Sequence, residues 1–266
     1  MNTLYESPLL FVGHGSPLNI LDHQFQKEIA QIFERILSQQ KIDEIVAVSA
    51  HFVRPLFQIA LKKNLDQIYD FYGFPQELYD IKFALEGNEK LSHKLLNDQN
   101  LGLKADETWG IDHGLWCVLK TVESDLKHCK LTHLSVSTLL SDREHFEQGV
   151  KLHQYAHSKN RLFLFSGDII HDLRNLNPDP YGDAIKTYLE FENDILYSLV
   201  QKNWNFLLNL QTERSLIYQE AINSREHFLP FLMFLGMLKN KQNQEHLIFN
   251  QRFQHSTISL TSILNI

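Results

Sequence analysis

PLLFVGHG, Pro8 to Gly15, is an apolar run that stops at a glycine, a histidine and a second glycine. A run this short reads as a buried strand, and the Gly13-His14-Gly15 that ends it as a tight loop. The same figure recurs twice. EIVAVSA, Glu44 to Ala50, runs straight into His51, and the strand expected over Arg161 to Ser166 is followed at once by GDIIHDL, which carries His171. Between these runs the period changes. After Asp22, a suitable helix N-cap, residues Phe25, Ile29, Ile32, Phe33, Ile36 and Leu37 fall on one helical face. An extended segment at Phe57 to Leu61, a helix over Glu89 to Asn97, a strand over Leu131 to Val136 and a helix from about Asp142 to His157 continue the alternation. Alternating elements predict an α/β fold: a central mixed sheet flanked by helices, with its site at the carboxyl ends of the strands. Asp183 to Leu238 is mainly helical, with Ala184, Tyr188, Phe191, Ile195 and Leu199 on one stripe, and Thr257 to Ile263 is expected to return a strand to the sheet.

No linker-like stretch, repeat or low-complexity run divides the 266 residues, so one domain over 1–266 is expected. A net charge of -7 without a basic stripe argues against nucleic acid as a partner. Met1 to Pro8 has no basic stretch leading into an apolar core, and the longest apolar run, Phe228 to Leu238, is broken by Pro230 and Gly236. Neither secretion nor a membrane span is expected, and a cytoplasmic placement fits. Cys117 and Cys129 show no CxxC spacing, which leaves neither a disulfide framework nor a cysteine zinc site. A monomer or small homo-oligomer acting on a small molecule is the expectation. The anomaly is 14 histidines.

A single histidine at a strand end is more often a hydrogen-bonded structural group than a ligand. His14, His51 and His171 share one context, however, and rigid strands would let three imidazoles converge, a good donor set for zinc or iron. Gly13 and Gly15 would admit substrate or metal. A fourth donor is His227 in REHFLPFL, before a helix that Pro230 is suited to start, with Glu226 as a rival. His113 in WGIDHGLW (Trp109 to Trp116) reads either as a positioned loop residue for acid–base work or as a bystander to a helix capped by Asp112. His93, His145, His153 and His157 are assigned to solvated or packed helix surfaces. His23, His128, His133, His246 and His255 carry no motif. The aromatic stretch from Asp66 to Asp80 reads as a functional loop.

GHGSPLN (Gly13 to Asn19), VSAHF (Val48 to Phe52), FYGFPQELYD (Phe71 to Asp80), WGIDHGLW, SGDIIHDL (Ser166 to Leu173) and EHFLPFL (Glu226 to Leu232), in this order, resemble the 4,5-DOPA extradiol dioxygenase family of the class III extradiol ring-cleaving enzymes. The resemblance spans nearly the whole chain. It implies one divalent metal ion held by His14, His51 and His227, with His171 either a ligand or the acid/base and His113 lining the pocket. It also implies that a catechol of the 4,5-DOPA type and O2 are the small-molecule partners. Fe2+ is expected for the oxygen chemistry and Zn2+ in the protein as isolated, since zinc suits the same donors but cannot change oxidation state. An all-histidine set lacks the carboxylate of the usual facial triad, and the loop near Tyr72 and Phe74 is expected to cover the ring. Asp168 and Asp172 stand where asparagines are expected; a nearby carboxylate would favour protonated His171. AINSR, Ala221 to Arg225, lacks an expected proline. Two other readings stand beside this one. A strand ending in GHGS also occurs in tetrapyrrole chelatases, and a non-catalytic metal-binding interaction protein would share the fold.

Overall fold

The computed structural model describes residues 6–242 and 245–266; Met1 to Tyr5, part of the N-terminal stretch considered above, lie outside them. In chain order the strands are β1 (Leu9–Gly13), β2 (Glu44–Arg54), β3 (Gln58–Ala60), β4 (Glu86–Gly87), β5 (Lys104–Asp106), β6 (Lys130–Ser137), β7 (Arg161–Gly167), β8 (Leu247–Phe249), β9 (Phe253–Gln254), β10 (Ile258–Ser259) and β11 (Ser262–Asn265). One sheet runs β5-β3-β6-β2-β7-β1-β11-β8 with β4 beside β6, and β9 and β10 form a separate hairpin. The middle four, β6-β2-β7-β1, are parallel. The flank β11-β8 is antiparallel, with Leu10 opposite Leu264. The mixed α/β sheet is the one expected from sequence.

Burial follows the period of two. Leu9 and Phe11 of β1 join one apolar cluster and Leu10 and Val12 the other, so the strand is buried on both faces. Helix α1 (His23–Gln39), capped by the Asp22 side chain on Gln24 and Phe25 N–H, brings Phe25, Ile29, Ile32, Phe33 and Ile36 to the second cluster. The principal helices that follow are α2 (Gln76–Asp80), α3 (Glu89–Leu96), α4 (His113–Leu119), α5 (Asp142–Leu152), α6 (Lys186–Val200) and α7 (Arg225–Lys239). Phe228, Phe231 and Phe234 of α7 pack with Phe11 in the first cluster. Each such side chain contributes roughly 1.5–3 kcal/mol on burial. Among the described residues no helix is long and apolar enough to cross a membrane. Both cysteines are free and buried.

Several boundaries differ from the sequence reading. Strand β2 continues past Ala50 to Arg54, and its register against β6 shifts between Val48 and Val53, so His51 stands in an irregularity rather than beyond the strand. Helix α5 gives way at His153 to a 3-10 turn, His153–Tyr155. The expected strand over 257–263 divides into β10 and β11. Helix α7 starts at Arg225, and Pro230 lies inside it: packing of an all-apolar surface outweighs the missing N–H. A side chain on Gly13 would meet the backbone of Ser259 and Leu260 at 2.6–2.9 Å, so that glycine admits the chain's own backbone, not a ligand.

Candidate metal centre

Three neighbouring parallel strands end on one edge of the sheet, and the site is built there. His14 follows β1, His51 projects from the β2 irregularity, and His171 lies in the loop after β7. His227 occupies the first turn of α7, beside Gly167, where any side chain would strike the His227 carbonyl. His113 is the first residue of α4. The five rings meet. Centroids are 3.9 Å apart for His51–His113, 5.0 Å for His14–His51 and His51–His227, 5.3 Å for His14–His227, and 3.6 Å for His171–His227, which stack at 5°. All five residues singled out from sequence are thus brought together. Donor atoms of His14, His51 and His113 lie within 4.8 Å of one another, as do those of His14, Asp168 and His227.

Neighbouring groups fix which nitrogen carries the proton. Ser166 Oγ donates to the Gly114 carbonyl and therefore accepts from His14 Nδ1 at 3.0 Å, leaving the His14 Nε2 lone pair free. His51 Nδ1 lies 3.0 Å from Asp70 Oδ2, which frees its Nε2 likewise. The two Nε2 atoms face each other at 3.0 Å. Two lone pairs so placed repel unless a proton or a metal cation lies between them. Asp168 Oδ2, fully buried and without a hydrogen-bond partner among the described residues, stands 3.9 Å from His14 Nε2 and 4.0 Å from His171 Nε2. The donor set therefore fits a divalent ion.

Electrostatics agree. Burial, then the neighbouring His51 or His227 ring, drives His14, His171 and His227 well below the ordinary imidazole range, and neutral imidazole is the form that ligates. Burial also pulls His51 down, but contact with Asp70 overrides it and raises the group. For His171 the expectation of a protonated ring is corrected: desolvation outweighs the nearby carboxylates.

The two unexpected aspartates have separate roles. Asp168 accepts the Gly15 N–H at 2.9 Å and turns its other oxygen to the cluster, so the environment is not all-histidine; burial pushes its carboxyl up to about 8. Asp172 ties the loop down: Tyr188 Oη donates at 2.6 Å, Asn175 Nδ2 at 2.7 Å and the Arg174 N–H at 2.9 Å, with Asn223 Nδ2 also on it. Burial raises this carboxyl, yet the donors prevail and hold it near about 2.

Sequence reasoning missed Asp70. Besides His51, it stands 3.0 Å from His113 Nδ1 and accepts the His113 backbone N–H at 3.0 Å. It caps α4, a task that Asp112 does not perform although it precedes the helix. Asp112 instead accepts from Ser49 Oγ at 2.6 Å and Trp109 Nε1 at 3.0 Å, with His133 Nε2 behind it at 3.6 Å. The signal for Asp70 was its place in the aromatic loop. His255 was also missed. Its ring lines the cavity, its Nδ1 donates to the Asn177 carbonyl at 2.8 Å, and its φ is 53°.

The cavity before the rings holds about 290 Å³ and is walled by Leu18, Phe71, Phe74, Leu173, Leu176 and Ile258. Phe71 stands edge-on to His113 at 5.5 Å. Tyr72, expected to cover the ring, is 92% exposed and points away, so Phe71 and Phe74 form that wall.

Residues 6–260 match the family model described as the catalytic LigB subunit of aromatic ring-opening dioxygenase. The chain is 28% identical to a 4,5-DOPA dioxygenase extradiol of Escherichia coli K12 over 237 residues, which is 86% of this chain and 84% of that protein. It is 27% identical to the protein of that name from Portulaca grandiflora, over 95% of this chain and 93% of the other. A dioxygenase, tasH, of Hapsidospora irregularis is 26% identical over 86% of this chain and 78% of its own. The crystal structure of an uncharacterized Escherichia coli K12 protein, JW3007, superposes with a TM-score of 0.72 at 23% identity, covering 97% of this chain and 99% of the other, and shows the same fold.

Proposed function

The chain belongs to the family of the catalytic LigB subunit of aromatic ring-opening dioxygenases, and on that premise we propose that its 266 residues form one catalytic domain for extradiol cleavage of a catechol. In the reaction the bond between a hydroxyl-bearing ring carbon and its unhydroxylated neighbour breaks. Each carbon receives one oxygen of O2, and catechol plus O2 becomes a ring-opened acid aldehyde of the summed composition. The observation that carries the reading is the facing pair of His14 and His51 Nε2 atoms at 3.0 Å. The family match favours ring opening over the chelatase and interaction-protein readings.

His14, His51 and His227 would hold one divalent ion, with Asp168 Oδ2 beside them. Bound there, Fe2+ supplies open positions and a change of oxidation state; Zn2+ suits the same donors and is the ion expected in the isolated protein. His113, its Nδ1 on Asp70, keeps Nε2 for a catechol proton. His171, stacked on His227, is either a further ligand or the acid that returns a proton to the product. Phe71 and Phe74 hold the ring and exclude water. The remaining elements of the reading are a cytoplasmic location and a monomer or small homo-oligomer without nucleic-acid or membrane partners.

The test is oxygen uptake by protein loaded anaerobically with Fe2+, given catechol and then 4,5-DOPA, the compound in the names of the relatives. One O2 consumed per catechol is expected. No uptake at full iron occupancy with any catechol defeats the reading, and His51→Ala is expected to abolish binding of the ion.

A further inference from the structure

Fourteen of the described residues line the cavity, and among these there is no lysine, arginine, aspartate or glutamate. Away from the ring cluster its side walls are Leu18, Phe71, Phe74, Leu173, Leu176 and Ile258, with Ser16 and His255 as the polar exceptions. Ser16 Oγ accepts the Leu18 N–H and His255 Nδ1 donates to the Asn177 carbonyl, which leaves the Ser16 hydroxyl proton and His255 Nε2 as the polar groups these walls offer. Leu173 and Leu176, 53% and 42% exposed, carry the apolar surface outward.

Acidic side chains stand behind the ring cluster. Asp70 faces His51 and His113, Asp168 faces His14 and His171, and Glu226 Oε1 lies 3.4 Å from His227 Nδ1. Arg174, next to Leu173, is held by Asp172 and by the Glu220 carbonyl at 3.1 Å. Among the described lining residues a substrate carboxylate would find no lysine or arginine, and a substrate ammonium no aspartate or glutamate. Burying an unpaired charge is costly, whereas apolar surface gains by leaving water. The cavity is also at the small end for ligand sites.

We propose that the preferred substrate is a catechol whose ring substituent is small, apolar and uncharged, a short alkylcatechol, rather than one bearing an amino-acid side chain. This rests on the ring-cleavage reading for its catechol head. The substituent lies against the leucines and phenylalanines, and a charged one is left to reach the cavity mouth unpaired.

Selectivity is measured first without turnover, by calorimetric titration of zinc-loaded protein with 4-propylcatechol, catechol and 4,5-DOPA. Each methylene in a fitted apolar pocket is worth about tenfold or more, so 4-propylcatechol is expected to bind at least about tenfold more tightly than either of the others. 4,5-DOPA binding as tightly as 4-propylcatechol, or more tightly, overturns the proposal. A mouth variant adds a second arm: Leu176→Arg is expected to weaken 4-propylcatechol and to strengthen 3,4-dihydroxyphenylpropionate, and failure to gain the anion argues against the wall as the source of selectivity. Oxygen uptake by iron-loaded protein is then run on the same set. Absence of turnover with all of them refutes ring cleavage, while the binding order judges the wall on its own.

Discussion

Replacing Asp70 by asparagine asks how much of the site is ordered from behind the imidazoles. The carboxylate stands 3.0 Å from Nδ1 of His51 and of His113, and it caps the His113 N–H at 3.0 Å. Asparagine keeps the shape, and its carbonyl can keep the cap. Its NH2 group then faces the His51 Nδ1–H, donor against donor. His51 relieves the conflict by moving its proton to Nε2, where the ion requires a lone pair. A hydrogen bond to a charged group is worth about 1.5–3 kcal/mol. Replacing a partner behind a ligating histidine costs about 10–100-fold in affinity, or roughly 1.4–2.7 kcal/mol, so the two estimates agree. Asp70→Asn is therefore expected to weaken zinc about 10–100-fold in competition against a chromophoric chelator, with an unaltered near-ultraviolet circular dichroism spectrum. An unchanged dissociation constant would refute the reasoning.

Three other perturbations address the fold and the pocket. Glu192 in α6, 2% exposed, accepts from Ser259 Oγ and, at 3.0 Å, from Thr261 Oγ1, yet burial raises its carboxyl to about 7. The folded state binds this proton more tightly than the unfolded one. Its contribution is therefore full below the ordinary carboxyl range and is lost as pH rises to about 7. Glu192→Gln is expected to flatten that slope and add about 3 kcal/mol above it, read by urea unfolding across pH. Asp172, held near about 2, has the opposite sign: its contribution is present above the ordinary carboxyl range and fades as pH falls toward that value. Asp172→Asn is expected to cost about 2 kcal/mol at neutral pH in the same assay and to remove this acid-side loss. Phe71→Ala is expected to raise KM for catechol roughly tenfold with little change in kcat; a fall in kcat at constant KM would assign the ring another role.

The strand ends were readable because a buried parallel strand is an uninterrupted apolar run, and the residue that follows it is placed by the sheet. That rule located His14 and His171, and it found His51 although β2 runs beyond it. The boundary at Arg54 was hidden because a strand irregularity is set by the neighbour β6, not by local composition. Pro230 misled for a related reason, since the tertiary packing of Phe228, Phe231 and Phe234 decides where α7 begins. Beyond the place of Asp70 in the aromatic loop, the roles of Asp70 and His255 could not be read locally, because their partners lie far along the chain, His51 and His113 for one, Asn177 for the other. Gly13 was readable as a close approach, but not as an approach by Leu260.

The site draws its donors from positions 14 and 227, and β1 is enclosed between β7 and β11, whose pairing reaches Asn265. During synthesis the early donors leave the ribosome long before their late partner exists. His227 arrives on a helix that docks on the sheet beside Gly167, so the five rings come together only as the core is completed. An ion held by His14, His51 and His227, as proposed, would therefore report a completed core.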